Sequence, residues 1–126
     1  MTHVLDASAV LALLNGEPGA ERVVAVMPDA LICTVNLSEV GAKILRKGGT
    51  PDEAQRLVNR LGFTVADFDE NLAWSTAGLR ARTDPAGLSL ADRACIALAI
   101  RERGIALTAD RAWARLDLEC HVELIR

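Results

Sequence analysis

Aromatic residues are nearly missing from this chain of 126 residues: they make up 3% of it, and tyrosine does not occur. The core must therefore be built from alanine, leucine, valine and isoleucine, a set of side chains that suits close packing of helices on a sheet. Histidine is almost as scarce. His3 and His121 are the only two, neither lies near a serine motif, and we expect both to be structural.

Cysteine pairs and long apolar runs are also lacking. Cys33, Cys95 and Cys120 are far apart, odd in number and without a CxxC spacing or a nearby pair of histidines. This predicts small core residues in a reducing compartment. No run approaches the roughly 18 apolar residues of a membrane span, and no basic leader precedes an apolar stretch. We therefore expect a cytoplasmic protein that does not cross a membrane.

An excess of positive charge is absent as well. The chain has 17 acidic and 14 basic residues and a net charge of −3, which excludes the overall basicity of a protein that coats nucleic acid. A polyanionic partner would have to be held locally. If a bound cation neutralised four of the acidic side chains, the remaining charge would become slightly positive and this obstacle would mostly disappear.

What is present is an alternation of short apolar runs with longer helical patterns. The runs are apolar throughout rather than alternating in polarity, which is typical of strands buried on both faces. This order predicts an α/β fold in one domain over residues 1–126, with a central, mostly parallel sheet of about four to five short strands and helices on both faces. The predicted strands are His3–Leu5, Ala30–Thr34, Phe63–Ala66, Ile105–Thr108 and His121–Ile125.

Several predicted helices begin at residues that are typical of a helix N-terminus. Thr50 is an N-cap followed by proline at the first helical position and Glu53 at the third, and Asp69 and Ser89 are N-caps of two later helices. The helix after Ser89 is apolar around its whole circumference over residues 94–100, so we expect it to be deeply packed. The helical patterns end at Asn15, Met27, Lys47, Leu61, Arg82, Arg103 and Leu116.

Four carboxylates lie where this pattern places strand ends and helix starts. Asp6 follows the first strand, and Asp110 follows the fourth. Glu39 and Asp92 lie in the predicted first turns of the helices after the second strand and after Ser89. Right-handed crossovers bring the carboxyl ends of parallel strands and the amino ends of the following helices to one edge of the sheet. The four acids can therefore converge at that edge.

Helix capping is the alternative for each acid taken alone. Asp6 and Asp110 could be N-caps, Glu39 could belong to a capping box with Asn36, and Asp92 to another. Their number favours a site, because two charges about 6 Å apart repel by roughly 3 kcal/mol at an effective dielectric of 20. A cluster of four must protonate or bind a cation, and oxygen-only ligands select Mg²⁺ or Mn²⁺ over zinc.

The motifs that carry these acids resemble those of PIN-domain ribonucleases. The family's four acidic motifs are matched in order and spacing by DAS at 6–8, SE at 38–39, SLAD at 89–92 and TAD at 108–110. The short length and the segments LADRACIALA and LTADRAW look most like VapC-type toxins of bacterial or archaeal toxin–antitoxin pairs. The resemblance covers nearly the whole chain. Trp113 stands where phenylalanine is common in such toxins, a departure that concerns packing more than chemistry.

The resemblance implies a metal-dependent endoribonuclease. Asp6, Asp92 and Asp110 would hold Mg²⁺ or Mn²⁺ directly, and Glu39 would ligate the ion, hold it through water or position the attacking water. Such an ion lowers the pKa of its bound water and offsets charge in the transition state. No histidine or nucleophilic side chain is then needed for hydrolysis.

Hydroxyl and basic side chains near the acids would complete the site. By the same resemblance, Ser8 and Thr108 would supply hydroxyls to a carboxylate, a water or a phosphate oxygen. RNA contact would fall to Arg93 and Arg111, which directly follow two of the acids, and to Lys43 in a basic stripe late in its helix. A solvated helix face is the favoured interpretation of that stripe.

The resemblance also implies partners. We expect a homodimer or a toxin–antitoxin hetero-oligomer, with a cognate antitoxin whose C-terminal segment covers the active groove. Trp74 could be an anchor for such a partner, although a half-buried position in the core is the favoured interpretation.

Two other classes of function remain open. A receiver-like phosphoacceptor is also a parallel α/β domain with acids at strand ends, but it needs a lysine at the site. The only lysines, Lys43 and Lys47, lie late in a helix and away from the predicted edge. A catalytically silent PIN-like binding domain would keep the four acids as caps and show no response to metal.

Overall fold

Five short strands form the centre of the computed structural model, which describes all residues from 1 to 126. The strands are β1 (His3–Leu5), β2 (Leu31–Cys33), β3 (Thr64–Ala66), β4 (Ile105–Thr108) and β5 (His121–Leu124). They pair in the order β3-β2-β1-β4-β5, and every pair is parallel. The predicted α/β fold with a parallel sheet is therefore confirmed.

Seven helices connect and cover the strands. Three further segments, Met27–Asp29, Asp84–Ala86 and Arg111–Arg115, are short 3₁₀ turns. None of the helices is both long enough and apolar enough to cross a bilayer. The helices are α1 (Ala7–Asn15), α2 (Ala20–Val26), α3 (Thr34–Arg46), α4 (Pro51–Asn59), α5 (Glu70–Gly78), α6 (Arg80–Thr83) and α7 (Leu90–Arg101).

Capping residues start three of these helices as the sequence predicts. Thr50 and Glu53 form a reciprocal capping box at α4, and Ser89 forms another with the third residue of α7. The Asp69 side chain accepts a hydrogen bond from the backbone N–H of Leu72 at the start of α5. Each cap satisfies backbone donors that the first turn of a helix leaves without partners.

Alternate residues of the strands pack on opposite faces of the sheet. Val4 lies in an apolar cluster with α5 and α7, whereas Leu5 lies in a cluster with α1, α2, α3 and α4. In α7 every residue from Ala94 to Ala99 is at most 2% exposed, which confirms the predicted deep packing of this helix. Two helical layers therefore hold a sheet that is covered on both faces.

The strand order changes direction between β1 and β4. The chain moves outward from β1 to β2 and β3, then returns to the other side of β1 with β4 and β5. Val4 of β1 is in register with Leu31 on one side and with Ala106 on the other. In open parallel sheets the crevice at such a switch point, at the carboxyl ends of the strands, is where ligands bind. Asp6 and Thr108 lie at this point.

Helix α3 begins earlier than the sequence predicts. Thr34 is already helical, directly after the Cys33 cap position, so Glu39 is the sixth helical residue and lies in the second turn. The predicted place of Glu39 in the first turn, and its capping box with Asn36, are wrong. The physical reason is that β2 passes into α3 without a loop, so no turn residue marks the change.

The short helix predicted after Asp110 is present as a 3₁₀ segment over Arg111–Arg115, but one smaller expectation needs correction. Trp74 is 71% exposed rather than half-buried, because it lies on α5 opposite the side that Leu72 and Thr76 pack into the core. By contrast, Trp113 is fully buried, as expected for a residue that contributes to packing.

Gly19 should be one of the least replaceable residues of the fold. It is buried with φ +96°, and a Cβ atom at this position would overlap the backbone carbonyl of Ile125. We expect Gly19→Ala to lower the free energy of unfolding by about 3 kcal/mol, from left-handed strain and the clash together. Denaturant unfolding would measure the change.

Gly16 provides a matched control for Gly19. It also has positive φ, +64°, but no atom lies within 4 Å of its potential Cβ position. Gly16→Ala should therefore show only the conformational strain, about 1 kcal/mol. Equal losses in the two variants would show that the contact with Ile125 is unimportant.

Candidate active site

Asp6 is the buried acidic side chain at the switch point. It follows β1, is 4% exposed, and occupies the N-cap position of α1 without a capping hydrogen bond from its side chain. Its Oδ2 instead accepts hydrogen bonds from the Ser8 hydroxyl at 2.6 Å and the Thr108 hydroxyl at 2.9 Å. The carboxylate is therefore held between the start of α1 and the end of β4.

The directions of these hydrogen bonds follow from the backbone around them. The backbone N–H of Ala109 donates to Ser8 Oγ at 3.0 Å, and that of Asp110 donates to Thr108 Oγ1 at 3.1 Å. Each hydroxyl has one proton, and each directs it to Asp6. Of the three roles expected for these hydroxyls, the geometry favours contact with a carboxylate over contact with water or phosphate.

Asp92 and Asp110 use one carboxylate oxygen each for capping. Asp92 Oδ2 accepts from the backbone N–H of Ser89 at 3.0 Å, and Asp110 Oδ1 accepts from that of Ala112 at 3.0 Å. No hydrogen bond engages the second oxygen of either residue, and the Glu39 carboxylate has no hydrogen bond. Capping and metal ligation are therefore compatible, since each role uses a different oxygen of the same side chain.

Three of the four acids interact through their charges. Burial raises the pKa of Asp6 above its usual value, and the charge of Asp92 acts in the same direction against the two hydroxyl hydrogen bonds. Partial burial raises the pKa of Glu39, and Asp6 and Asp92 raise it further, while Lys43 lowers it. None of the four acids forms a salt bridge. The edge therefore carries negative charge without a paired cation.

The oxygen donors of these four side chains suit a hard divalent cation. The available donors are carboxylate oxygens, which suit Mg²⁺ or Mn²⁺, and a cation would relieve the repulsion that raises the Glu39 pKa. No three His, Cys, Asp or Glu side chains are close enough together to hold an ion as they lie. Ligation by three carboxylates therefore requires side-chain rotation, for which exposed Glu39 and Asp110 have freedom.

The basic side chains expected to contact RNA lie in different environments. Lys43 and Arg111 are exposed and form no salt bridge. Lys43 also lines a cavity of about 400 Å³ together with Ser8, so it is closer to the acidic edge than its place late in α3 suggests. Arg93 is partly buried, and its Nε has no hydrogen-bond partner.

One polar residue beside the site has a role that the sequence interpretation missed. Asn36 is fully buried, and its amide donates to the carbonyl oxygen of Ala91 at 3.0 Å. The only signal in the sequence is a polar residue within an apolar stretch, one helical turn before Glu39. Asn36 links α3 to α7, the helices that carry Glu39 and Asp92.

Asp6→Asn should raise the melting temperature of the metal-free protein at neutral pH. Because burial raises the Asp6 pKa, the folded state is most favoured while this group is protonated, and stability is lost as the pH rises through that pKa. Asparagine is uncharged, and its Oδ1 can still accept both hydroxyls. Thermal melts in chelator across the acidic to neutral range should show a difference that grows with pH.

The exposed Asp117 is a suitable control, and Asp117→Asn should show no such growth. A variant Asp6→Asn that melts below the wild type at neutral pH would mean that the carboxylate stabilises the metal-free fold.

A protein-family comparison agrees with this fold. A family model described as PIN domain matches residues 3–119. A search of curated proteins finds no significant match.

Solved structures with the same fold include several toxin–antitoxin proteins. A toxin–antitoxin complex from Klebsiella pneumoniae aligns with TM-score 0.79 at 20% identity over 98% of each chain. DNA-bound VapBC from Salmonella typhimurium aligns with TM-score 0.75 at 19% identity, over 100% of this chain and 99% of the other. VapC20 of Mycobacterium tuberculosis, described as a toxin that cleaves the sarcin–ricin loop, aligns with TM-score 0.74 at 20% identity over 94% and 98%. At these identities the similarity shows the fold.

Proposed function

The chain belongs to the PIN domain family, and on this basis we propose that it is a Mg²⁺- or Mn²⁺-dependent endoribonuclease. We assign it the role of toxin in a VapBC-type toxin–antitoxin pair, with its one domain spanning residues 1–126. The observation that supports this most is the charge at the switch point. Burial raises the pKa of Asp6 and of Glu39, neighbouring carboxylate charges raise both further, and neither residue forms a salt bridge. A bound dication relieves this repulsion.

The four acids contribute to ion binding in different ways. Asp6 and Asp92 each present one oxygen fixed by hydrogen bonds and one that is free, so they are the ordered ligands. Asp110 and Glu39 are exposed and complete the site by rotation, Glu39 directly or through water. A metal ion bound there supplies an activated water and offsets charge on the phosphoryl group during hydrolysis.

Ser8 and Thr108 act on the reaction through Asp6. Their hydroxyl protons point to Asp6 Oδ2, and backbone N–H groups fix both hydroxyls from behind. This arrangement limits rotation of the Asp6 carboxylate and keeps its geometry constant. Lys43, Arg93 and Arg111 flank the acids in sequence and are the residues we assign to RNA phosphates, since they form no salt bridge.

Similarity to toxin–antitoxin complexes supports the proposed partners. These are a cognate antitoxin, which covers the active groove, and a second copy of the chain in a homodimer or a toxin–antitoxin hetero-oligomer. Exposed Trp74 is available as an anchor for one of these contacts. Family membership favours a nuclease over a receiver-like phosphoacceptor, and the response to metal separates a nuclease from a silent binding domain.

Removal of metal should stop the reaction reversibly. The purified chain should cut RNA in the presence of Mn²⁺, lose this activity when EDTA is added, and regain it when excess Mn²⁺ is restored. Gel analysis of end-labelled RNA would follow all three states. Cleavage that continues unchanged in EDTA would contradict the proposed mechanism, because that mechanism takes its activated water from the bound ion.

A further inference from the structure

Asn36 is the one buried amide side chain that joins two helices of the proposed site. It lies in the first turn of α3 with no exposed surface, and its Nδ2 donates to the carbonyl oxygen of Ala91 at 3.0 Å. Ala91 is the second residue of α7 and directly precedes Asp92. The hydrogen bond therefore joins the two first turns at the position where α7 presents its acid.

The same amide is placed to control the position of Glu39. Residues three apart on a helix lie on the same face, so Glu39 is one turn beyond Asn36 on the face that turns toward α7. The Glu39 carboxylate is close enough to Asp92 for their charges to interact. The separation of Glu39 and Asp92 thus depends on how the first turns of α3 and α7 are held together.

The energetics of this amide suggest a role in geometry more than in stability. Asn36 Oδ1 is buried without a hydrogen-bond partner, and such a buried acceptor is unfavourable. The Ala91 carbonyl is a helical acceptor, which has a backbone partner of its own one turn later. Removal of the amide therefore leaves no new unpaired group, and the favourable and unfavourable contributions of Asn36 to stability largely offset each other.

We infer that Asn36 is a positioning residue that holds Glu39 and Asp92 at the separation needed for a shared divalent cation. The inference rests on the proposed metal-dependent function. Asn36 touches neither the ion nor the RNA, and acts through the two carboxylates. Without its hydrogen bond, α3 and α7 can shift relative to each other. The affinity for the ion then falls, because part of the binding free energy is used to bring the carboxylates back together.

Asn36→Leu tests the inference because leucine keeps the branched shape of the side chain and lacks the donor. We expect the Mn²⁺ concentration for half-maximal thermal stabilisation to rise at least about tenfold, as for other residues that orient metal ligands. RNA cleavage should show the same shift in Mn²⁺ requirement, and saturating Mn²⁺ should largely restore kcat. Asn36→Ala provides a second variant if leucine does not fit.

Thr76→Val is the matched control. Thr76 is also buried, and its hydroxyl donates to the Leu72 carbonyl within α5, away from the acids. This variant should lose stability without any change in Mn²⁺ requirement. Equal Mn²⁺ requirements in wild type, Asn36→Leu and Asn36→Ala would overturn the inference alone. A wild-type protein whose melting temperature does not respond to Mn²⁺ would contradict the proposed function and the inference together.

Discussion

Asp92→Asn should strongly reduce the rate of RNA cleavage while leaving the fold intact. Asparagine can still accept the hydrogen bond that Asp92 takes from the Ser89 N–H, so the start of α7 keeps its cap. What is lost is one negative ligand for the ion. A loss of about 3 kcal/mol in stabilisation of the transition state corresponds to a rate lower by roughly a hundredfold. Single-turnover cleavage at saturating Mn²⁺ would measure it.

Asp69→Asn is the matched control for Asp92→Asn. Asp69 also accepts a backbone hydrogen bond at the start of a helix, α5, but unlike the four acids it pairs with an arginine, Arg101. We expect its variant to cleave RNA at the wild-type rate. If Asp92→Asn unfolds the protein, or if both variants are equally active, then Asp92 is a cap and not a ligand.

Mn²⁺ should raise the melting temperature of the wild-type protein, and Asp6→Asn should abolish the increase. At a concentration about 100 times the dissociation constant, a ligand stabilises the folded state by about 2.7 kcal/mol. For a domain of this size that corresponds to an increase of roughly 10 °C. Of the proposed ligands Asp6 is the buried one, held by two hydroxyls, so its charge is the one that other side chains are least able to replace.

Two comparisons make this result specific. NaCl at the same ionic strength controls for general screening of negative charge, and Asp117→Asn, at an exposed site, should respond to Mn²⁺ as the wild type does. If the wild type shows no increase, the four acids do not share an ion, and the silent binding domain becomes the better interpretation. An increase that survives in Asp6→Asn would remove Asp6 from the ligand set.

The fold was largely predictable because its local signals agree with its tertiary structure. Short apolar runs became parallel strands, and the caps at Thr50, Asp69 and Ser89 start helices as predicted. The error at α3 has a local cause, since Cys33 and Thr34 continue an apolar run and carry no start signal. The error at Trp74 arose because the side that a helix buries depends on tertiary packing, and one residue type does not determine it.

The candidate site was predictable in its acids but less so in their supporting contacts. Motif order predicts Asp6, Glu39, Asp92 and Asp110 as the site acids, and the parallel topology brings the carboxyl ends of the strands that precede three of them to one edge. The Ser8 hydroxyl accepts from the backbone N–H of Ala109, 101 residues away, and the Thr108 hydroxyl donates to Asp6, 102 residues away, contacts that no local pattern reveals. The hydrogen bond of Asn36 to Ala91 likewise exists only because α3 and α7 meet in three dimensions.

The pairing of β1 with β4 has a consequence for synthesis of the protein. Asp6 leaves the ribosome 102 residues before Thr108, although the strands beside them pair, His3 to Leu5 with Ile105 to Leu107. Such distant pairings form late in folding. A chain that ends before β4 therefore lacks Asp110 and the Thr108 hydroxyl that holds Asp6. Under the proposed function, only chains that extend through β4 and have folded would cleave RNA.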